Sequence, residues 1–283
     1  MKPLPECYPC LQRLIEQAAT LATTDPARQA EARARATALL EARWGNGAIP
    51  ARIATRFHEA IKQATGNPDP FLALKRDEMA FARQAAARLG LARPLTLRQA
   101  ALLSVAGNAL DFVRDHAVVG REVEGEVALA ADDLACALEG LGEGDRVIVL
   151  ADNAGEQYFD APLLAVLTEA GCAVTYAVKE RPVQNDLALT DLEPGVVPPR
   201  VAVITTGGAA VGVELASASA AFRRALDGAS LVIAKGMGHY ETSAELAGRR
   251  VLALLKAKCR PVAGSLGVPK GAFVARLLGR EGE

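Results

Sequence analysis

Asp152 and Asn153 close the apolar run Arg146-Val147-Ile148-Val149-Leu150-Ala151, and Asn185 and Asp186 follow the next such run, which ends at Val178-Lys179. Two carboxylates and a side-chain amide oxygen, with no thiolate or imidazole close in sequence, form an all-oxygen donor set. Such a set suits hard octahedral ions such as Mg²⁺ or Mn²⁺ better than zinc. Two acids left alone in a cleft repel and raise each other's pKa, whereas a divalent ion neutralises both and leaves positions for water and a phosphate oxygen. Lys235-Gly236 closes a later run and offers fixed positive charge beside that phosphate. The amides of Thr206-Gly207-Gly208 can approach its oxygens without Cβ interference at the glycines. Each feature also has an ordinary structural reading: Asp-Asn after a strand caps a helix, and Gly207-Gly208-x-x-x-Gly212 is more often a tight turn than a dinucleotide fingerprint.

These residues meet only if the runs are strands of one sheet. From residue 146 onward short β-branched runs alternate with helix-length segments: strands at 146–151, 172–178, 201–205, 231–234 and 250–255, with helices near 161–170, 215–226 and 241–246. Continuous apolar strands separated by helices predict a doubly wound, mainly parallel, Rossmann-like α/β sheet buried on both faces. Ligands bind such sheets at the carboxyl ends of the strands, and every predicted end carries polar residues except the fifth. Residues 1–95 read as an N-terminal helical bundle, with helices at 10–21, 27–43, 51–65 and 72–89, and residues 96–283 as the α/β region. Thr96 caps a further predicted helix through 114, on which Asn108 and Asp111 share a face. A solvated face is the ordinary explanation for that pair.

The chain has 283 residues, 51% of them hydrophobic, with 32 Lys+Arg against 33 Asp+Glu and a net charge of −1. This balance excludes disorder and coiled coil and gives no basic footprint for nucleic acid. No apolar run approaches the roughly 18 residues of a membrane span and the first residues lack a signal-peptide h-region, so a cytoplasmic location is expected. Five scattered cysteines argue against a disulfide framework. The one close pair, Cys7-x-x-Cys10, could supply two zinc ligands or a redox pair, but most simply packs where a helix begins.

In order along nearly the whole chain come Cys7-x-x-Cys10-Leu11, Asp69-Pro70-Phe71 with Lys75, Gly107-Asn108-Ala109-Leu110-Asp111-Phe112, Asp152-Asn153-Ala154-Gly155-Glu156 with Phe159-Asp160, Lys179 with Pro182 and Asn185-Asp186, Lys235-Gly236-Met237-Gly238-His239-Tyr240-Glu241, and Lys258-Cys259-Arg260-Pro261. This succession resembles the DUF89 family, the damage-control phosphatases with an ARMT1-like domain, and the leading cysteine pair looks like its prokaryotic subgroup. The resemblance implies a metal-dependent phosphatase acting on small phosphorylated metabolites, sugar phosphates or damaged forms among them. It implies Asp152, Asn153 and Asp186 as ligands of a divalent ion (Mn, Mg, Co or Ni), and Lys235 as the phosphate holder. It places Asn108, Asp111, Glu156 and Glu241 in the lining. His239 departs from the family's Lys-Gly-x-x-Asn-Tyr-Glu run.

The expected chemistry is in-line attack on phosphorus by a metal-activated water, or by Asp152, with Glu156 or Asp111 relaying protons and Lys235, Thr206, Gly207 and Gly236 handling phosphate. Lys235→Ala is expected to lose phosphate handling while folding is preserved. Two other readings compete. An aspartyl-phosphate phosphatase of the haloacid dehalogenase type should carry a second Asp at 154, where this chain has Ala. A noncatalytic nucleotide- or sugar-binding module would use the Gly207-Gly208 turn and a helix N-terminus.

Overall fold

A computed structural model of the chain describes residues 3–90, 94–109 and 127–279. Four helices open it: α1 (Cys7–Ala22), α2 (Pro26–Arg43), α3 (Pro50–Thr65) and α4 (Leu72–Arg88). Their ends follow from local chemistry. Asp25 accepts from the amides of Ala27 and Arg28 ahead of Pro26, and α3 begins at a proline and stops at Gly66, whose φ is 72°. The apolar stripes of α1 to α3 bury Leu11, Ile15, Leu40, Ile53, Phe57 and Ile61 in one cluster. α4 touches that cluster at Leu74 and then leaves it, Ala82 and Ala85 packing against Tyr158 and Phe159 of the following region.

Helix α5 (Leu97–Gly107) starts at a reciprocal cap in which Thr96 Oγ1 accepts from the Gln99 amide (3.2 Å) and Gln99 Oε1 from the Thr96 amide (2.9 Å). It ends earlier than the predicted 114. Gly107 lies against Phe159, where an added Cβ would come within 2.8 Å of the Phe159 Cβ, and Asn108 follows as the cap.

The sheet has seven strands: β1 (Leu129–Asp132), β2 (Arg146–Leu150), β3 (Ala173–Val178), β4 (Ala202–Thr205), β5 (Leu231–Lys235), β6 (Val251–Lys256) and β7 (Phe273–Leu278). Their order is β1-β7-β6-β5-β2-β3-β4, and every neighbouring pair is parallel except β6 with β7. The mainly parallel sheet is as predicted; β1 and β7 are additional. Helices cover both faces. α5, α6 (Leu134–Leu138) and α7 (Gln157–Glu169) bury one face, while α8 (Ala220–Asp227) and α10 (Arg260–Leu266) lie on the other. Successive β2, β3 and β4 run outward on one side, while β5 and β6 return on the other, so the order reverses between β2 and β5. A crevice opens at such a point, because the connections leaving the two strands diverge to opposite sides.

Two predicted helices are redrawn. The 215–226 segment is a 3-10 turn, Leu215–Ser217, then α8, because Ser219 is held extended: its amide donates to the Thr206 carbonyl and its hydroxyl accepts from Phe222. The helix predicted at 241–246 begins earlier, as α9 (Gly236–Glu241), followed by a 3-10 turn at Ser243–Leu246. Among the described residues no helix is long and apolar enough to cross a membrane.

Candidate functional site

Asp152 lies just beyond β2, and Lys235 ends the adjacent β5, whose Ala234 pairs with Leu150. The two therefore emerge side by side at the crevice. Asp186 arrives from the other direction. After β3 the chain turns back at Gln184, which has a left-handed φ of 47° and whose Nε2 donates to His58 Nε2 (2.8 Å). It then runs beside Asp152: Leu187 N donates to the Asp152 carbonyl (2.7 Å), Ala154 N to the Asn185 carbonyl (2.8 Å), and Asn153 bridges Asp186. Main-chain pairing, and not chance proximity, brings the two acids together.

Asn108 is buried (1% exposed), against the expectation of a solvated face. Its Nδ2 donates to Asp152 Oδ2 (2.9 Å) and Glu156 Oε1 (2.7 Å), and its Oδ1 accepts from the Lys256 amide (2.9 Å). The fifth predicted strand, β6, thus contributes at its end after all. Asn153 Nδ2 donates to the same two acceptors, Asp152 Oδ2 (3.2 Å) and Glu156 Oε1 (2.5 Å). Asp111 lies outside the described residues.

Lys235 is fully buried. Its Nζ donates to Glu156 Oε2 (2.7 Å) and Asp160 Oδ1 (2.5 Å), and Asp160 also accepts from Ser104 Oγ (2.6 Å) and Tyr176 OH (2.9 Å). Burial alone would depress the Lys235 pKa, but Asp160 and Glu156 overcome it and push it up, so the ammonium is permanent. Sequence reasoning assigned no role to Asp160, Glu78, Lys179 or Tyr176; the signal available for Asp160 was its position four residues after Glu156, one helical turn away.

The electrostatics single out the acids. Burial, then repulsion from Glu156 and Asp186, raises Asp152 well above the ordinary carboxylate range. Asp186 rises to about 6 through burial, partly opposed by Lys179. Lys179 Nζ stands 3.5 Å from Asp186 Oδ2 but gives its hydrogen bond to the Gly212 carbonyl (2.8 Å), so this buried oxygen accepts none. Glu78 reaches in from α4, holding Asn185 Nδ2 at 3.1 Å, and burial raises it to about 7.

The test of fit for a cation rests on these acids. A buried carboxylate oxygen that accepts no hydrogen bond and has only the Lys179 ammonium at 3.5 Å, beside a second carboxylate that burial and like charge disfavour as an anion, is what a divalent ion would relieve. Among the described residues no group of three His, Cys, Asp and Glu could hold a metal, so an ion here would also need the Asn153 amide oxygen.

Gly236 makes the cradle tight. Its φ is 74°, and a Cβ there would fall 1.9 Å from Asp152 Oδ2. Gly236→Ala should therefore displace that carboxylate and add roughly 1–2 kcal/mol of left-handed strain, read as weaker divalent-ion binding in calorimetry together with a lower Tm. His239 donates from Nδ1 to the Lys235 carbonyl (2.7 Å); burial lowers its pKa to about 3, so it stays neutral.

Glu241 Oε2 accepts from the Ala51 amide at the start of α3 (3.1 Å). Burial lifts it from the ordinary 4.5 to about 7. The folded protein then holds that proton more tightly than the unfolded chain, so this contribution is complete below about pH 4.5 and is lost as pH rises through about 7. Glu241→Gln should gain up to about 2–3 kcal/mol over the parent between pH 5 and 8, measured by urea unfolding in EDTA.

Thr206 and Gly207 are not brought into this group. The Thr206 amide donates to the Val178 carbonyl (2.9 Å), and Gly207, with φ 94°, abuts the backbone of Ser219. Gly207 lines a separate surface cavity with Arg56 and Arg181. At the other end of the chain, Cys7 is buried and Cys10 exposed, neither in a disulfide, and burial raises the Cys7 thiol.

Comparison with known proteins agrees with this architecture. The chain is 34% identical to a damage-control phosphatase of Pyrococcus horikoshii over 279 residues, 97% of either chain. It is 30% identical to a damage-control phosphatase of Archaeoglobus fulgidus over 293 residues, covering 98% of this chain and 100% of that one. The crystal structure of a DUF89 family protein from P. horikoshii superposes with a TM-score of 0.89 at 32% identity, across 99% of this chain and 100% of that one. The family model described as the damage-control phosphatase ARMT1-like domain matches residues 4–274, and the chain belongs to that family.

Proposed function

We propose that the protein is a metal-dependent phosphomonoester hydrolase acting on small phosphorylated metabolites, with its centre at Asp152, Asn153 and Asp186. The observation that carries this reading is the bridge between Asn153 and Asp186, which sets Asp186 beside Asp152 and leaves its buried Oδ2 accepting no hydrogen bond, with the Lys179 ammonium 3.5 Å away. Names of relatives support the phosphatase half of it.

The carboxylates of Asp152 and Asp186 and the Asn153 Oδ1 would hold the ion. When bound, such an ion neutralises the two acids, polarises a phosphoryl oxygen and lowers the pKa of water. The chain's own residues do the positioning. Asn108 and Asn153 fix the Asp152 carboxylate from two sides. Glu156 takes hydrogen bonds on both oxygens, from the two amides and from Lys235, so it serves as the hub that orients these donors and not as a proton relay. The Lys235 ammonium contributes fixed positive charge from behind that hub. In the reaction a water oxygen bonds to phosphorus as the bond to the leaving alcohol oxygen breaks, and that oxygen leaves with a proton.

The test is hydrolysis of p-nitrophenyl phosphate with Mg²⁺, Mn²⁺, Co²⁺ or Ni²⁺, and with EDTA. Activity should vanish in EDTA and return with the ion. An ion at roughly a hundred times its Kd should also stabilise the fold by about 2.7 kcal/mol, a Tm shift absent from Asp152→Ala. Turnover indifferent to chelation would remove the metal from the mechanism. Ligand binding without phosphate release in any ion would favour the binding-module reading.

A further inference from the structure

Beside the centre lies a cavity of about 510 Å³, a size that accommodates a small metabolite. Two residues of its wall are chain neighbours of the centre: Gln184 lies two residues before Asp186, and Met237 follows the Gly236 that cradles Asp152. The rest of the wall comes from distant parts of the chain. Arg13 stands on α1, Lys258 and Arg260 follow β6, and Lys270 precedes β7. Four cationic side chains thus face two acids, Glu6 and Glu241. Glu241 is engaged by the Ala51 amide, and Glu6 lies 3.9 Å from Arg260. The surplus of positive charge is local, since the whole chain carries a net charge of −1.

We propose that this cavity is a second anion-binding subsite, so that preferred substrates carry a further negatively charged group, such as a second phosphate or a carboxylate, besides the phosphate that is removed. The inference rests on the phosphatase reading for the words "substrate" and "removed", while the subsite itself is a matter of binding. A lone phosphomonoester engages only the Asp152 centre; a molecule with a second anion also gains charge-assisted contacts with Arg13, Arg260 and Lys270 from three separate segments. Arg13 of the bundle and the segment between β6 and β7 would then select substrates together.

The experiment uses glucose 1-phosphate and glucose 1,6-bisphosphate as competitors of p-nitrophenyl phosphate hydrolysis, in the parent and in the double variant Arg13→Glu/Lys270→Glu. Both residues are exposed, so the fold should tolerate the exchange. The bisphosphate is expected to inhibit roughly tenfold more tightly than the monophosphate in the parent, and the double variant should bring that ratio close to one. A ratio near one in the parent, or a ratio that the double variant does not move, would overturn the subsite. If no ion supports hydrolysis, the phosphatase reading fails, and titration calorimetry with the same two sugar phosphates then decides the subsite by the same ratio.

Discussion

Asp152→Ala is expected to lower kcat/KM for p-nitrophenyl phosphate by about 10²–10³-fold or more, while the metal-free protein stays at least as stable as the parent. The two halves of this result have separate causes. Activity falls because the carboxylate would be a ligand of the ion. Stability does not fall, because Asp152 is unfavourable where it stands: burial and the charges of Glu156 and Asp186 oppose its ionisation. Each of its two amide donors also retains one acceptor. Asn108 Nδ2 and Asn153 Nδ2 both keep Glu156 Oε1 as an acceptor. Steady-state kinetics and urea unfolding in EDTA measure the two halves. A variant that is destabilised yet active when folded would mean that Asp152 is a structural cap.

Lys235→Ala has the opposite signature. The sequence alone predicts lost phosphate handling on an intact fold, whereas the burial of Lys235 between two carboxylates predicts a loss of stability. Its removal leaves the Glu156 and Asp160 carboxylates, both fully buried, without the cation that neutralises them. Breaking a buried pair from one side costs about 3–5 kcal/mol, a large share of a domain's stability. Denaturant unfolding should show this loss. The combined change Lys235→Met, Glu156→Gln and Asp160→Asn should recover more than half of it, since no uncompensated charge is then buried. Stability near the parent level in Lys235→Ala would show that the ammonium is not bound as the structure has it.

Much of this arrangement is legible from local pattern. The helices α1 to α4 follow from apolar residues at three- and four-residue spacing, and β2, β3, β5 and β6 from β-branched runs. The two missed strands lack that signal. β1 is Leu-Ala-Ala-Asp, and β7 interrupts its apolar run with Arg276 and pairs antiparallel to β6, outside the alternating pattern that reveals the rest. The division of labour among polar residues is less legible. Asn108 reads as one side of a solvated helix until the end of β6 is placed beside it, and Glu78 lies on a bundle helix more than a hundred residues from Asn185, with which it bonds.

By itself the sequence determined the bundle helices and the strands β2 to β6, the parallel character of the sheet, the ordered motifs of the family, and that Asp152, Asn153 and Asp186 are oxygen donors after strands. Those properties depend on periodicity and residue chemistry, which are local. Only the tertiary structure decided which charges face one another: that Lys235 is bound by Glu156 and Asp160, that Asp186 Oδ2 accepts no hydrogen bond, and that Thr206 and Gly207 serve the sheet and α8 instead of the site. The reason is that strand order is set by how the connections cross the sheet, and a charge acquires its partner and its burial only when segments far apart in the chain are brought within a few ångströms.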